Sequence, residues 1–275
     1  MSQFAAETLG VSRAQIELAN ADTALTPDSG IQGASRSTYF VGGAVCQATR
    51  NLKQEVLATA AELLDCPPAD LTLTNGEVIC RDGHSGSVSL TEVAREFDRI
   101  GKSRKVRGVF DHSPLFREET RPEYVPYFVT GAQLAEVIVN LRTGEVRVPR
   151  MVAAHDVGRA INPIDARGQI EGSVVMGLGA ALMEEYIPGA STGLSDYYLP
   201  TIQSMPQVEV VLVEVPSFQG PLGAKGLGEA SMLPSTPAII NAVSRAIGNR
   251  IREIPATPER VLEAIQSRSQ DDVQE

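Results

Sequence analysis

A long apolar stretch interrupted by glycines, Ile164 to Glu185, limits the folds that this sequence can adopt. Its apolar residues recur with the period of an α-helix, which predicts one helix over the whole range. Gly172, Gly177 and Gly179 would each destabilise a helix interior by about 1 kcal/mol relative to alanine. A helix that keeps these glycines is expected to press one face against another backbone or against a cofactor.

Strand and helix patterns occur in turn along the rest of the sequence. Alternation of apolar and polar residues predicts strands at Gln15–Ala19, Leu71–Leu73, Glu77–Cys80, Val106–Phe110, Phe128–Val139, Val146–Ala154 and Val208–Val215. Helical periodicity predicts helices at residues 2–9, Ser35–Leu64, Leu90–Phe97, Pro237–Ile247 and Pro258–Ile265. Thr91 or Ser89 is expected near the N-cap of the third. Asn75-Gly76, a strong hairpin signal, joins two of the strands. Hairpins mixed with long helices indicate an α+β fold.

Composition and charge exclude several classes of partner. The chain has 275 residues, of which 43% are hydrophobic, enough to bury a proper core. Its net charge is −10 and it contains no long basic run, which argues against nucleic acid and anionic membranes as partners. No apolar run approaches the roughly 18 residues that span a bilayer, and the N-terminus lacks the basic region of a signal peptide. We therefore expect a soluble, cytoplasmic protein without membrane insertion.

The cysteines and histidines lack the spacing of a metal site. Cys46, Cys66 and Cys80 form no Cys-x-x-Cys motif and are too few for an iron–sulfur cluster or a structural zinc site. An odd number of cysteines in a cytosolic setting predicts reduced, structural thiols. The histidines occur singly in turn or loop contexts and are expected to be structural rather than metal ligands: His84, His112 and His155. Asp156 follows His155 at a strand end and is expected to accept hydrogen bonds in the turn after it.

A glycine-rich loop near the C-terminal end, Gly220–Ala230, presents a single carboxylate, Glu229. Fixing glycine costs backbone entropy, so a loop rich in glycine usually serves close approach of the backbone to a ligand. Pro234 then opens an apolar-periodic stretch that predicts a helix. A carboxylate held by such a loop at a helix entrance is a candidate general base. The alternative is a solvated glutamate in an ordinary surface loop.

A second candidate site is the small-residue segment from Gly33 to Thr38. A helix is predicted to start near Ser35, where free N–H groups and the positive end of the helix dipole attract anions. Such a site can hold a phosphate or pyrophosphate without lysines. Arg36 could pair with that phosphate through two hydrogen bonds, or it could lie on the surface. The alternative for the whole segment is an ordinary capped helix.

Five segments, in order along the chain, resemble motifs of a known enzyme family. Gly168–Glu185 resembles the pterin-contacting helix of molybdenum hydroxylases, and Lys225–Ala230 resembles the loop that carries their catalytic glutamate. The other three resemble further family motifs: Gly33–Thr38 with Gly42–Val45 at the molybdopterin loop, Asp156–Gly158 with Asn162-Pro163, and Tyr197–Thr201. The resemblance is to the xanthine dehydrogenase/aldehyde oxidase family and runs from about Ser2 to Ile265.

This resemblance implies a fold and a domain arrangement. The implied fold is that of the second molybdopterin-binding domain of these enzymes, α+β with mixed or antiparallel sheets and long packed helices. Residues 1–266 would form this domain, in one body or two subdomains, and residues 267–275 a flexible acidic tail. The family's molybdenum subunit is much longer, and the resemblance covers only its C-terminal portion. The chain is therefore expected to be one half of a naturally split subunit or a truncated one.

The resemblance also implies roles for individual residues. Glu229 would be the base that accepts a proton from the hydroxyl group attacking the substrate carbon. The primary amide of Gln169 offers a donor and an acceptor to the pterin, although a solvated helical glutamine is an equal alternative. The implied cofactor contacts are Gly33, Ala34, Ser35, Arg36, Ser37, Gln169, Lys225, Gly226, Leu227 and Gly228. No protein ligand to the metal is expected, because the pterin dithiolene holds it.

The implied activity is oxidative hydroxylation of an N-heterocycle, a purine or an aldehyde, with water as the oxygen source. The implied cofactor is molybdenum-molybdopterin, as the mononucleotide or the cytosine dinucleotide form. Electrons would leave through iron–sulfur clusters and FAD on partner subunits, and a further partner would carry the other half of the molybdenum site. A non-catalytic cofactor-docking or assembly component, inactive alone, is the alternative function.

Overall fold

The computed structural model describes residues 1–20, 22–26, 28–81, 86–110 and 128–271. Within these ranges the chain forms two compact units. The first comprises Met1–Tyr127 with Ser217–Ala224, and the second Phe128–Pro216 with Lys225–Glu275. None of the helices in the described ranges combines the length and the apolar character needed to cross a bilayer.

The first unit packs helices against a small antiparallel sheet. Its helices are α1 (Ser2–Leu9), α2 (Gly42–Leu64) and α3 (Leu90–Arg99), and its strands are β1 (Leu71–Thr74), β2 (Glu77–Cys80) and β3 (Ser87–Ser89). The strands lie in the order β1-β2-β3, and both pairs are antiparallel. Its core is formed by buried side chains from the helices and all three strands, including Val56, Leu73, Val78, Val93 and Phe97.

Two local signals in this unit are confirmed. The predicted hairpin turn is present, with positive φ angles of 50° at Asn75 and 87° at Gly76, the conformation that such turns require. Ser89 caps α3: its hydroxyl accepts from the backbone N–H of Glu92, whose carboxylate accepts from the N–H of Ser89. Both signals depend only on neighbouring residues, which is why the sequence reveals them.

The second unit is built on a mixed sheet. Its strands are β4 (Gly131–Val139), β5 (Val146–Asp156) and β6 (Gln207–Val213), and its helices are α4 (Pro163–Leu182), α5 (Ser235–Ile247) and α6 (Pro258–Asp271). β4 and β5 pair antiparallel, whereas β5 and β6 pair parallel. Parallel neighbours need a crossover connection, and α4 lies in it. The core brings together residues of the sheet, α4 and α5: Met151, Val210, Ile170, Val174, Ile239 and Val243.

The glycines of α4 serve different purposes. A Cβ at Gly177 would lie 2.2 Å from the Cβ of Ser235, so this glycine lets α4 approach α5. A Cβ at Gly179 would clash with the side chains of Glu184 and Pro200. The expected close approach to another backbone is therefore confirmed at Gly177, whereas the crowding at Gly179 comes from side chains. Gly172 has nothing within 4 Å of its Cβ position, so no contact in the second unit explains it.

Two predicted strands are wrong. A short 3₁₀ turn, Arg13–Gln15, occupies the start of the first, and the residues after it are mostly exposed and have no strand partner among the described residues. Residues 106–110 are also irregular. Gly108 lies so close to α2 that a Cβ would come within 2.2 Å of the Ala44 carbonyl, and Phe110 packs edge-to-face on Tyr39. Packing on a helix thus replaces strand pairing there.

The cysteine prediction is wrong in part, and some boundaries differ. Cys66 and Cys80 form a disulfide, and Cys46 is free and buried. The predicted reduced state of Cys66 and Cys80 is wrong because the β1–β2 hairpin returns Cys80 to the end of α2, a contact that spacing along the chain does not reveal.

The boundaries of two helices differ from the prediction. α4 ends at Leu182 rather than Glu185. α6 continues to Asp271, into the predicted tail, whereas residues 272–275, like His84 and His112, lie outside the described residues.

Candidate active site

Glu229 lies in a turn that leads directly into α5; we call Lys225–Pro234 the Glu229 turn. Its backbone closes on itself, because the carbonyl of Glu229 accepts from the N–H of Met232 at 3.1 Å. The residue itself is exposed on the surface of the second unit. The structure therefore presents a carboxylate on a backbone of defined path, as expected for the glycine-rich loop.

A buried ion pair anchors the start of this turn. Lys225 Nζ lies 2.5 Å from Asp156 Oδ2, with side-chain exposures of 11% and 5%. The other oxygen of Asp156 accepts from the N–H groups of Gly158 and Val215, which confirms the turn-stabilising role expected for this aspartate. Burial by itself raises the pKa of Asp156, but the hydrogen bonds from Lys225, Gly158 and Val215 outweigh it and hold the pKa below its ordinary value. The ammonium of Lys225 therefore points into the second unit.

Gln169 binds the same turn from α4. Its amide nitrogen donates to the carbonyl oxygen of Gly228 at 2.7 Å, although the residue is exposed. Gly168, beside it on the helix, has nothing within 4 Å of its Cβ position, as is also true of Gly172. The helix thus leaves open space on both sides of Gln169, and one amide hydrogen bond joins it to the residue preceding Glu229.

A group of buried polar side chains lies beneath the turn, and the sequence analysis missed it. Ser231 Oγ donates to Ser173 Oγ of α4 at 2.7 Å. Gln133 of β4 donates to the Ser231 carbonyl at 2.7 Å, and its amide oxygen accepts from Ser235 Oγ at 2.7 Å. Gln133 also bonds to His155 Nε2 at 2.9 Å. The three serines and the histidine are buried, so these hydrogen bonds are protected from water.

A surface pocket of about 330 Å³ adjoins the turn. It is lined by Val129, Gly131, His155, Ala230, Leu233 and Pro234. A Cβ at Gly131 would lie 2.3 Å from His155 Nδ1, so glycine is needed for the strand to pass the ring. Burial lowers the pKa of His155, which favours the neutral ring at physiological pH. In the part of the chain that the structure describes, no three His, Cys, Asp or Glu residues are grouped to hold a metal ion.

The other predicted site, Gly33–Ser37, belongs to the first unit, and we call it the Ser35 turn. Ala34 and Ser35 both have left-handed backbone angles, with φ of 56° and 55°, which side chains rarely adopt. A π-helical turn, Ser37–Val41, follows it and leads into α2, and no side chain caps its start at Arg36. The helix therefore begins slightly later than predicted.

Ser37 and Arg36 of the Ser35 turn each contact a residue nearby in sequence. Ser37 Oγ donates to Gln32 Oε1 at 2.8 Å. The Arg36 guanidinium lies over the ring of Phe40, 5.1 Å from its centroid. The structure thus brings Gln169 and the Glu229 turn together in one unit, and places Gly33, Ala34, Ser35, Arg36 and Ser37 in the other.

Comparisons with known proteins place this fold and site in context. Residues 1–206 match the family of the molybdopterin cofactor-binding domain. The chain is 32% identical to the 6-hydroxypseudooxynicotine dehydrogenase complex subunit gamma of Paenarthrobacter nicotinovorans, over 97% of this chain and 34% of that protein. It is 33% identical to the xanthine dehydrogenase molybdenum-binding subunit of Escherichia coli O157:H7, over 95% of this chain and 35% of that protein.

Solved structures show the same relationship. The quinoline 2-oxidoreductase from Pseudomonas putida 86 superposes with a TM-score of 0.80 at 26% identity, over 96% of this chain and 34% of that one. This likeness confirms the predicted α+β fold with mixed and antiparallel sheets. The chain spans about a third of the length of the curated relatives that it matches. On the family match and these relatives, the chain belongs to the molybdopterin cofactor-binding domain family and corresponds to part of the molybdenum-binding subunit of the xanthine dehydrogenase/aldehyde oxidase group.

Proposed function

We propose that this chain supplies one part of the active site of a molybdenum hydroxylase, with Glu229 as its general base. The reaction would be oxidative hydroxylation of an N-heterocycle, a purine or an aldehyde, with water as the source of oxygen. The observation that carries the proposal is the Glu229 turn, an exposed carboxylate on a backbone that Gln169, the buried serines and the Lys225–Asp156 pair hold in place. Rigid placement is what a base needs and a solvated surface glutamate does not.

Each unit, taken by itself, carries candidate cofactor contacts. In the first unit, the uncapped helix start and the left-handed pair Ala34 and Ser35 suit a phosphate group, with Gly33, Arg36 and Ser37 beside it. For Ser37 this would mean that its hydroxyl exchanges Gln32 for the phosphate. When bound, the molybdenum-molybdopterin group supplies the two-electron redox chemistry of the reaction.

In the second unit, the open space beside Gly168 and Gly172 would receive the pterin next to Gln169. One amide hydrogen of Gln169 is used by Gly228, which leaves its other hydrogen and its oxygen for the pterin edge. Lys225, Gly226, Leu227 and Gly228 would contribute through their backbone, since the Lys225 ammonium pairs with Asp156. The residues present therefore fit the group that the family binds.

Glu229 would act on a proton. In the reaction a hydroxyl group attacks an electron-poor carbon of the substrate, and the carboxylate of Glu229 would accept the proton that this hydroxyl loses. A positioned base typically contributes about 10²–10⁴ in rate. The pocket lined by Gly131, His155, Leu233 and Pro234 lies beside the turn and would border the substrate.

Partner chains would complete the enzyme. Large apolar side chains are exposed on the second unit, including Ile164, Leu194, Ile202 and Leu233, and a partner chain would cover those that form a continuous apolar patch. We propose that one partner carries the rest of the molybdenum site and that others carry the iron–sulfur clusters and FAD. The cofactor would be the mononucleotide or the cytosine dinucleotide form.

Metal and pterin analysis tests this proposal against a non-catalytic docking or assembly role. The chain would be purified alone and as a tagged complex from its native cell, and molybdenum and pterin would be measured in each. We expect a molybdenum-replete complex that oxidises an N-heterocycle, purine or aldehyde, and an isolated chain with little molybdenum. A complex that assembles without these activities, or a molybdenum-replete isolated monomer, would contradict the proposal.

A further inference from the structure

Gln133 joins the Glu229 turn to three other elements through one side chain. From β4 its amide nitrogen donates to the Ser231 carbonyl at 2.7 Å and contacts His155 Nε2 of β5 at 2.9 Å. Its amide oxygen accepts from Ser235 Oγ, at the start of α5, at 2.7 Å. Gln133 is half-buried, and Ser231 and Ser235 are both fully buried. Each hydrogen-bonding group of this amide therefore has an assigned partner.

Hydrogen-bond chemistry fixes the orientation of this amide. The Ser231 carbonyl can only accept, so the nitrogen of Gln133, and not its oxygen, must face it. The second amide hydrogen then points to His155 Nε2, which must be the unprotonated nitrogen of a neutral ring. Burial, which lowers the pKa of His155, favours that neutral form. Both hydrogens and the oxygen of the Gln133 amide thus have chemically compatible partners, and Ser235 Oγ lies closer to the amide oxygen, at 2.7 Å, than to the Ser231 carbonyl, at 3.2 Å.

Ser231, two residues after Glu229, is held from a second direction by α4. Its hydroxyl donates to Ser173 Oγ, which in turn donates to the carbonyl of Gln169 at 2.8 Å. Gln169 binds Gly228, the residue before Glu229. α4 therefore contacts the turn on both sides of Glu229, and Gln133 supplies the contact from the sheet.

We propose that Gln133 is a positioning residue that acts through Glu229: it fixes the Ser231 carbonyl and so the direction in which the Glu229 carboxylate leaves the backbone. This inference rests on the proposed role of Glu229 as the base. A misplacement of about 1 Å can lower a rate about 10²-fold. Because Gln169 and Ser173 still hold the turn without Gln133, we expect a smaller loss, about tenfold in kcat.

A double-mutant cycle in the assembled enzyme tests this role. The variants are Gln133→Met, which keeps length but removes every hydrogen bond, Glu229→Gln, and the two combined. Gln207→Met, the same change at an exposed position of β6 in the same sheet, is the control. We expect Gln133→Met to lower kcat about tenfold with KM and pterin content unchanged, and to lower it less than about twofold in the Glu229→Gln background. The control should match the parent enzyme.

Other results would overturn the inference. Gln133→Met could lower kcat by the same factor in both backgrounds, or it could lower pterin content or raise KM. Either result would mean that Gln133 only stabilises the fold. Full turnover of Glu229→Gln would instead refute the proposed base, a distinct failure. If Gln133→Met does not fold, Ser235→Ala removes the hydroxyl that donates to the Gln133 amide oxygen at 2.7 Å and also lies 3.2 Å from the Ser231 carbonyl, so it loosens the same carbonyl. It should show a smaller loss of kcat with the same dependence on Glu229, and additivity there would equally refute the role.

Discussion

The Glu229 turn and the Ser35 turn are both glycine-containing segments before a helix, yet they are held in different ways. Side chains from distant parts of the chain fix the Glu229 turn: Asp156, Gln169, Ser173 and Gln133. The Ser35 turn differs in its backbone: Ala34 and Ser35 have left-handed φ angles, and the hydroxyl of Ser37 donates to nearby Gln32. The first arrangement suits a group that must be placed before a reaction, and the second, at the start of a helix, suits the binding of a phosphate. Removal of the Glu229 carboxylate should therefore affect the reaction, whereas removal of the hydroxyls of the Ser35 turn should affect cofactor binding.

Breaking the anchor of the Glu229 turn should have the largest energetic effect. Lys225→Met leaves the buried carboxylate of Asp156 without its ion-pair partner, which should lower the free energy of unfolding by about 3–5 kcal/mol. Denaturant unfolding of the purified chain measures this. Arg104→Met is the control, because its pair with Asp98 is exposed and should contribute little. If Lys225→Met and Arg104→Met both lowered the free energy of unfolding by the same small amount, the Lys225–Asp156 pair would not hold the Glu229 turn in place.

The same anchor should make stability depend on acid pH. The pKa of Asp156 is lowered in the folded state, so the unfolded chain binds more protons as the pH falls below the ordinary aspartate value of about 4. The contribution of Asp156 is thus complete at neutral pH and lost as the pH falls toward its folded pKa. Unfolding followed between pH 7 and pH 3 should show a steeper loss in the parent than in Asp156→Asn. Parallel curves would contradict this role.

Removing the hydroxyls of the Ser35 turn should weaken cofactor retention. A lost hydrogen bond to a charged group costs about 1.5–3 kcal/mol, so Ser35→Ala/Ser37→Ala should lower pterin retention tenfold or more while the protein still folds. Pterin content of the assembled enzyme after dialysis measures the effect. Unchanged content would mean that this segment is only a helix start, and the proposed contrast with the Glu229 turn would fail.

The smallest effect is expected at Gln169. Gln169→Leu removes the hydrogen bond to the Gly228 carbonyl, a neutral bond at an exposed residue, which contributes about 0.5–1.5 kcal/mol. Because the proposed pterin contact uses the same amide, both turnover and pterin retention should fall a few-fold. Steady-state kinetics and pterin analysis would show both losses together. A loss of turnover alone would assign Gln169 to the Glu229 turn and not to the cofactor.

The sequence revealed the features of the site that depend on neighbouring residues. The Glu229 loop, the helix after it and the glycine-bearing α4 are recognisable from local pattern, and Asp156 was expected to stabilise its own turn. The partners that hold Glu229 in place are not recognisable in this way. Gln133 and Ser231 are 98 residues apart, and Gln169 and Gly228 are 59 apart. Strand register and helix packing bring them together.

Lys225 shows the same limit at a single residue. The family resemblance implied a contact between Lys225 and the cofactor, and the structure pairs the Lys225 ammonium with Asp156 at the end of β5. A lysine beside glycines has the same local pattern whether its side chain faces a ligand or the interior. Which of the two directions the Lys225 side chain takes depends on the sheet, because β5 places Asp156 beside it.

Glu229→Gln compared with Ser35→Ala/Ser37→Ala in the assembled enzyme tests the separation of chemistry from binding most directly. Turnover, molybdenum and pterin would be measured in the same preparations. The amide is nearly the same size as the carboxylate, so Glu229→Gln should keep full cofactor content and lower turnover at least about 10²-fold. The double-serine variant should lose cofactor, and turnover only in proportion. Near-normal turnover of Glu229→Gln at full molybdenum content would contradict the assignment of Glu229 as the base.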